Sequence, residues 1–133
     1  MITVLFACVH NAGRSQIAAA LFNRYADPAR ARATSAGTQP AAHVHPEVIT
    51  MMRKRGVDLS AQQPQKLTPE LASTASWLIT MGCGDECPVV PGVKRDDWPL
   101  EDPKGKSAEA VERIIDDIDA RVRAFIRERI ESR

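Results

Sequence analysis

An α/β domain built on a four-stranded parallel sheet flanked by helices is what this chain predicts, and three observations carry that reading. Short apolar runs alternate with helical stretches from end to end. The first run, Ile2 to Phe6, passes straight into a loop that ends where a helical pattern begins. The last stretch, from Val111 to Ile126, keeps one helical face apolar throughout. With 133 residues and no repeat, low-complexity tract or linker, positions 1–133 read as one domain with a real core.

The elements follow in order. After the first strand and its loop, Ile17, Leu21 and Tyr25 recur at a spacing of four, the buried stripe of a helix to about Ala26. Asp27-Pro28 breaks it, because the residue before a proline disfavours the helical region. Arg32 to Ala36 reads as a short second strand stopped by Gly37. Pro46 suits the first turn of a helix that carries Val48, Met51 and Met52 and stops at Gly56. Thr68-Pro69-Glu70 marks another helix start, with Thr68 as cap. Trp77 to Met81 is the third strand and Val93 to Trp98 a weaker fourth. The final helix sets Val111, Ile114, Ile115, Ile118, Val122, Phe125 and Ile126 against Glu112, Asp116, Asp119, Arg123 and Arg127, read as its solvated side. This order suits a flavodoxin-like sheet, 2-1-3-4, whose ligands bind beyond the carboxyl ends of the strands beside strand 1.

Bulk properties narrow the function classes. Hydrophobic residues make up 44% and charged residues 26%, ordinary for a globular protein. A net charge of +1 implies no general attraction to nucleic acid or anionic membrane, and 5% aromatics argues against a base-stacking surface. No uncharged run approaches the roughly 20 residues that span a bilayer. The N-terminal apolar run is short and lacks a basic start, so it reads as a strand rather than a leader, and the expected compartment is the cytoplasm. Three cysteines in a reducing compartment favour reactive over structural roles, the bland alternative being three small buried hydrophobes.

The chemistry concentrates in Cys8-Val9-His10-Asn11-Ala12-Gly13-Arg14-Ser15. Backbone N–H groups of a tight loop, joined to a helix N-terminus, converge on one point and hold an oxyanion. A cysteine at the mouth of such a cradle is favoured as thiolate. Arg14 adds a planar, permanently charged fork for the oxygens of phosphate or a lookalike. Cys8 is therefore the candidate nucleophile. Ser15 is placed to hydrogen-bond its sulfur, or else is an ordinary first-turn residue. Asn11 is read as crossing the loop, or as a mere turn residue, and Gly13 as permitting close backbone approach to the anion. His10 is expected to point outward without a catalytic role.

Asp102-Pro103 lies in the loop before the last helix, where a carboxyl group would protonate a departing oxygen; Glu101 is a neighbouring rival, and a solvated turn is the plain alternative. Cys83-Gly84-Asp85-Glu86-Cys87 is the third piece. Zinc is one reading, but the spacing is not a knuckle, no second Cys/His pair is near, and His43 and His45 before Pro46 read as loop residues. The better reading is redox: two thiols one helical turn apart, with Gly82 and Gly84 supplying freedom to pair.

Cys8-x5-Arg14-Ser15, Ser35-Ala36-Gly37, the late Asp102-Pro103 and the strand pattern resemble the low-molecular-weight tyrosine phosphatase family across essentially the whole chain. Cys83 and Cys87-Pro88 resemble its arsenate reductase branch of the thioredoxin-coupled kind. The resemblance implies that arsenate occupies the loop from Cys8 to Ser15, with phosphate or sulfate as competitors, and is held by the backbone of Val9 to Ser15 and by the Arg14 side chain. It implies attack by Cys8, protonation of the leaving oxygen by Asp102, then a Cys8–Cys83 and a Cys83–Cys87 disulfide, the last reduced by thioredoxin, glutaredoxin or mycothiol. No cofactor or metal is implied: Ala19 stands where some members carry the acidic residue of a potassium site. Two departures matter. Only three residues separate Cys83 from Cys87, fewer than in many members, which leaves the order of their attacks open. Lys104, rather than a tyrosine, follows Asp102-Pro103, which weakens the alternative of a phosphatase acting on aryl phosphates.

Overall fold

The computed structural model describes residues 1–82 and 89–131. Its strands are β1 (Ile2–Cys8), β2 (Ala31–Gly37), β3 (Trp77–Thr80) and β4 (Lys94–Asp97), and its helices α1 (Arg14–Tyr25), α2 (Pro46–Lys54), α3 (Pro69–Ser73) and α4 (Ala108–Phe125). The four strands form one parallel sheet in the order β2-β1-β3-β4, as the alternating pattern predicts.

β1 lies centrally, so both its faces are covered and its sequence is an almost unbroken apolar run. Alternation along the strand sends Val4, Phe6 and Cys8 to the face packed by α1, α2 and α4. Leu5 and Ala7 turn to the opposite face, against Leu67, Ala72, Ala75 and Leu78. Phe6 and Phe22 are fully buried, each contributing about 1.5–3 kcal/mol by leaving water. Their rings lie 6.1 Å apart, and Phe6 also meets Trp98 at 5.6 Å. Trp98 in turn meets Phe125 of α4 at 6.1 Å, so the start of the loop that follows β4 is anchored in the core.

The local signals act as their chemistry dictates. Thr68 accepts the Leu71 N–H as cap of α3, with Pro69 at the first helical position. Ser107 does the same for α4 through the Ala110 N–H. β4 is an edge strand whose four residues are all exposed, which explains its weak apolar pattern.

Past Phe125 the final helix continues as a π-helical turn, Ile126–Glu131, which returns Ile130 to the core. Arg30 Nη2 donates to the Ile130 carbonyl at 2.9 Å and holds that end. One expectation needs adjusting: the polar face of α4 is not simply solvated. Arg55 Nη2 reaches Glu112 Oε2 at 2.7 Å and Asp116 Oδ1 at 2.8 Å, tying the end of α2 to α4. Tyr25, only half-buried, donates its hydroxyl to Asp119 at 2.6 Å, and burial followed by that carboxylate holds its phenol above the ordinary value. Such ties need long side chains from three separate segments, which periodicity in one segment does not show.

Candidate active site

β1 ends at Cys8 and α1 begins at Arg14, so the intervening loop sits at the carboxyl edge of the sheet, where β1 adjoins both β2 and β3. Cys8 is buried, with 2% of its surface exposed. Its Sγ lies 2.9 Å from Ser15 Oγ and accepts the Asn11 N–H at 3.3 Å.

The loop carbonyls show how the rest is aimed. Those of Cys8, Val9, His10 and Ala12 accept from the N–H groups of Thr38, Gln39, Ala41 and His45, at 3.2, 2.8, 2.9 and 2.8 Å. Gly13 O accepts from Ile17 N at 3.0 Å, and Asn11 O from the side chain of Gln16 at 3.2 Å. Six successive carbonyls are thus turned away from the loop interior. In a trans peptide the N–H of the next residue points opposite to the carbonyl. The amides of Val9, His10, Asn11, Ala12, Gly13 and Arg14 therefore turn inward, as the Asn11 N–H to Cys8 Sγ contact illustrates. Inward-facing amides at a helix N-terminus form a cradle for an anion.

Asn11 crosses this loop. It is buried, with φ of 51°, a left-handed conformation that asparagine tolerates better than most residues. Its Nδ2 donates to Ser15 Oγ at 2.7 Å, while its Oδ1 accepts from Gln65 N at 3.0 Å and Gln16 Nε2 at 3.2 Å. Arg14 is 8% exposed; its Nη1 donates to the Leu100 carbonyl at 3.1 Å, and Nη2 lies 3.9 Å from Asp102 Oδ2. Asp102 is thus brought to the cradle from the far end of the chain, while its Oδ1 accepts from Lys104 N at 3.0 Å. Glu101 instead faces Lys106 at 3.5 Å. His10 Nδ1 is 3.1 Å from the Gln39 carbonyl at the surface, so it braces the outside of the loop. His43 is exposed and His45 lies beside Gly13, and among the described residues no three His, Cys, Asp or Glu side chains cluster to hold a metal. Cys83 and Cys87 fall outside the described residues.

Gly13 has a reason the sequence does not disclose: a Cβ there would lie 2.8 Å from Pro103 Cγ, so glycine lets the Asp102-Pro103 loop close onto the cradle. Gly37 stands beside Cys8 in the sheet, and a Cβ there would come within 2.6 Å of Val9 O and 2.9 Å of Asn11 N. Both neighbours are backbone and cannot swing aside. Gly37→Ala is expected to cost about 1–3 kcal/mol in urea unfolding and to weaken sulfate binding by pushing the loop off its register. Sulfate affinity equal to wild type in a folded variant would contradict this.

Residues 3–133 match the model of the low molecular weight phosphotyrosine protein phosphatase family. The chain belongs to this family. A Halobacterium salinarum protein is 37% identical over 121 residues, 88% of this chain and 85% of that one. The glutaredoxin arsenate reductase of Synechocystis is 33% identical over 132 residues, 97% of this chain and 93% of that protein. Among solved structures, the thioredoxin-dependent arsenate reductase of Corynebacterium glutamicum is 42% identical, with a TM-score of 0.83. That match covers 96% of this chain but 61% of the Corynebacterium chain, so this family member spans about three fifths of that relative's length. A low-molecular-weight tyrosine phosphatase from T. tengcongensis superposes with a TM-score of 0.86 at 21% identity, which speaks for the family fold alone.

Sequence reading missed Gln16, Gln65 and the Leu100 carbonyl as parts of this family site. Gln16 had one available signal. The run Gln16-Ile17-Ala18-Ala19 is followed by Ala20-Leu21 without a polar face, so the start of α1 is buried all round and a polar residue there needs a partner.

Proposed function

We propose that this protein is an arsenate reductase that converts arsenate to arsenite through its own cysteines and is regenerated by thioredoxin or a low-molecular-weight thiol. The observation that carries the oxyanion chemistry is the ring of outward carbonyls around Cys8, which leaves the loop amides facing inward with the Asn11 N–H on the sulfur. What selects reduction over hydrolysis is the pair Cys83 and Cys87, which a phosphatase does not need, together with likeness to reductases at 42% and 33% identity.

In this reading arsenate sits on the amides of Val9 to Arg14, as phosphate or sulfate would in competition. The Cys8 thiolate attacks arsenic, and one oxygen leaves as water with a proton from Asp102. The sulfur has Ser15 Oγ and the Asn11 N–H as hydrogen-bond partners, which stabilise it as nucleophile and again as leaving group. Cys83 then attacks Cys8 Sγ. The As–S bond breaks with its electron pair remaining on arsenic, which falls from As(V) to As(III) as a Cys8–Cys83 disulfide forms. Cys87 attacks Cys83, frees the Cys8 thiolate, and leaves a Cys83–Cys87 disulfide for the external reductant. Among the described residues no helix is long and apolar enough to cross a membrane, and the thiol chemistry suits the reducing cytoplasm.

The test is arsenite production from arsenate with thioredoxin and its reductase, glutaredoxin with glutathione, and mycothiol compared side by side. Arsenite formed catalytically with any one of them supports the proposal and names the reductant. Absence of arsenite with all three, together with efficient aryl phosphate hydrolysis that survives loss of Cys83 and Cys87, would overturn it in favour of a phosphatase.

A further inference from the structure

Six consecutive loop carbonyls face outward, and five of them are held by backbone amides of the sheet edge, the following segment or the helix itself. The sixth, Asn11 O, accepts a side-chain donor, Gln16 Nε2. It belongs to the one residue of the loop with positive φ, where the chain is least able to keep its own direction. The peptide that begins at this carbonyl carries the Ala12 N–H, so its orientation sets whether that amide faces the cradle.

The geometry points to Gln16 as a positioning residue for the oxyanion cradle. Its amide also lies 3.2 Å from Asn11 Oδ1 and 3.4 Å from Gln63 O, so one NH₂ group faces three carbonyl-type oxygens. Two of them belong to Asn11, whose own N–H and Nδ2 reach Cys8 Sγ and Ser15 Oγ. The third belongs to a segment that is itself pinned, since Gln65 N donates to Asn11 Oδ1 and Gly37 N donates to Gln65 O at 2.9 Å. Gln16 is 4% exposed, so water does not replace these bonds when the amide is removed. It therefore clamps the left-handed turn of the loop to the 63–65 segment behind it. Cys8 reactivity and amide convergence both depend on that clamp. This inference rests on reading the loop as an oxyanion cradle.

The test uses sulfate, whose charge is constant between pH 5 and 8, as the probe. Gln16→Met keeps the length and removes the donors; Gln16→Glu keeps the shape and turns a carboxylate toward the three oxygens. Sulfate affinity is expected to fall about tenfold in Gln16→Met at every pH. In Gln16→Glu the loss relative to wild type is expected at neutral pH and to shrink as pH falls and the new carboxyl gains a proton able to donate. A bystander in the core would lower the unfolding midpoint without that pH-dependent ratio. Cys8 alkylation by iodoacetamide is expected to slow in parallel. In the wild-type chain, which needs no variant to fold, the Gln16 side-chain amide protons are expected to exchange slowly and to shift on sulfate saturation. Folded variants that bind sulfate as wild type does, or a wild-type Gln16 amide that exchanges freely and ignores sulfate, would overturn the role of Gln16. A wild-type chain that binds no sulfate at all would overturn the cradle itself.

Discussion

Cys83→Ser is expected to release no arsenite, and Cys87→Ser to release at most one arsenite per chain before stopping. The reason begins with the burial of Cys8. At 2% exposure, enclosed by Ser15, Asn11 and the loop, its sulfur offers little access to a bulky external thiol, so an internal thiol has to collect the oxidising equivalents. If Cys83 is the first to attack, its loss leaves a Cys8–arsenic adduct that goes no further. Loss of Cys87 permits one reduction and then strands a Cys8–Cys83 disulfide. Quench-flow arsenic speciation with mass mapping of the trapped disulfide reads both outcomes. If Cys87 attacks first, the two phenotypes exchange, which would settle the order that the short spacing leaves open. Steady turnover with thioredoxin in either variant would sink the relay. Cys8 is expected to remain open to iodoacetamide in both, because neither substitution alters a residue of the loop from Cys8 to Ser15.

Arg14→Lys is expected to lower kcat/KM for arsenate by about 10²–10³-fold, although the charge is retained. The guanidinium uses its plane: Nη1 donates to Leu100 O at 3.1 Å while Nη2 lies 3.9 Å from Asp102. One fork thereby sets the position of the acid-bearing loop relative to the cradle. An ammonium is a single point of charge that cannot hold two directions at once. The lost factor corresponds to about 3–4 kcal/mol of transition-state stabilisation, in the range known for removing an oriented donor from an oxyanion site. Sulfate affinity should drop less than kcat/KM, since a lysine still attracts an anion but no longer places Asp102. Steady-state kinetics beside sulfate titration checks this, and a kcat/KM within threefold of wild type would contradict it.

Much of this was legible along the chain because it is local or periodic. The continuous apolar run Val4-Leu5-Phe6-Ala7 suits a strand covered on both faces, as the central strand of a parallel α/β sheet is. Thr68-Pro69 and Pro46 state their helix starts through one hydrogen bond or one missing N–H. The spacing from Cys8 to Arg14-Ser15 between strand and helix was enough to single out the loop and Cys8 as its candidate nucleophile. Gln16 was not legible in the same way. Its partners are Asn11 and a carbonyl 47 positions away, and nothing in its immediate neighbours announces them. Gly13 was read as a concession to the anion, but the close neighbour is Pro103 from the other end of the chain.

The sequence by itself determined the strand order and most of the secondary structure, and it singled out Cys8, Arg14 and Asp102 as candidates, since these follow from hydrophobic period, caps and side-chain chemistry within a few residues. Tertiary structure alone decided that Asp102 rather than Glu101 approaches Arg14, that the loop carbonyls turn outward, and that the acidic face of α4 is tied to Arg55 and Tyr25. Each of these joins atoms from segments far apart in the chain. Their directions are set by which strand lies beside which, and only closure of the core brings them within hydrogen-bond reach.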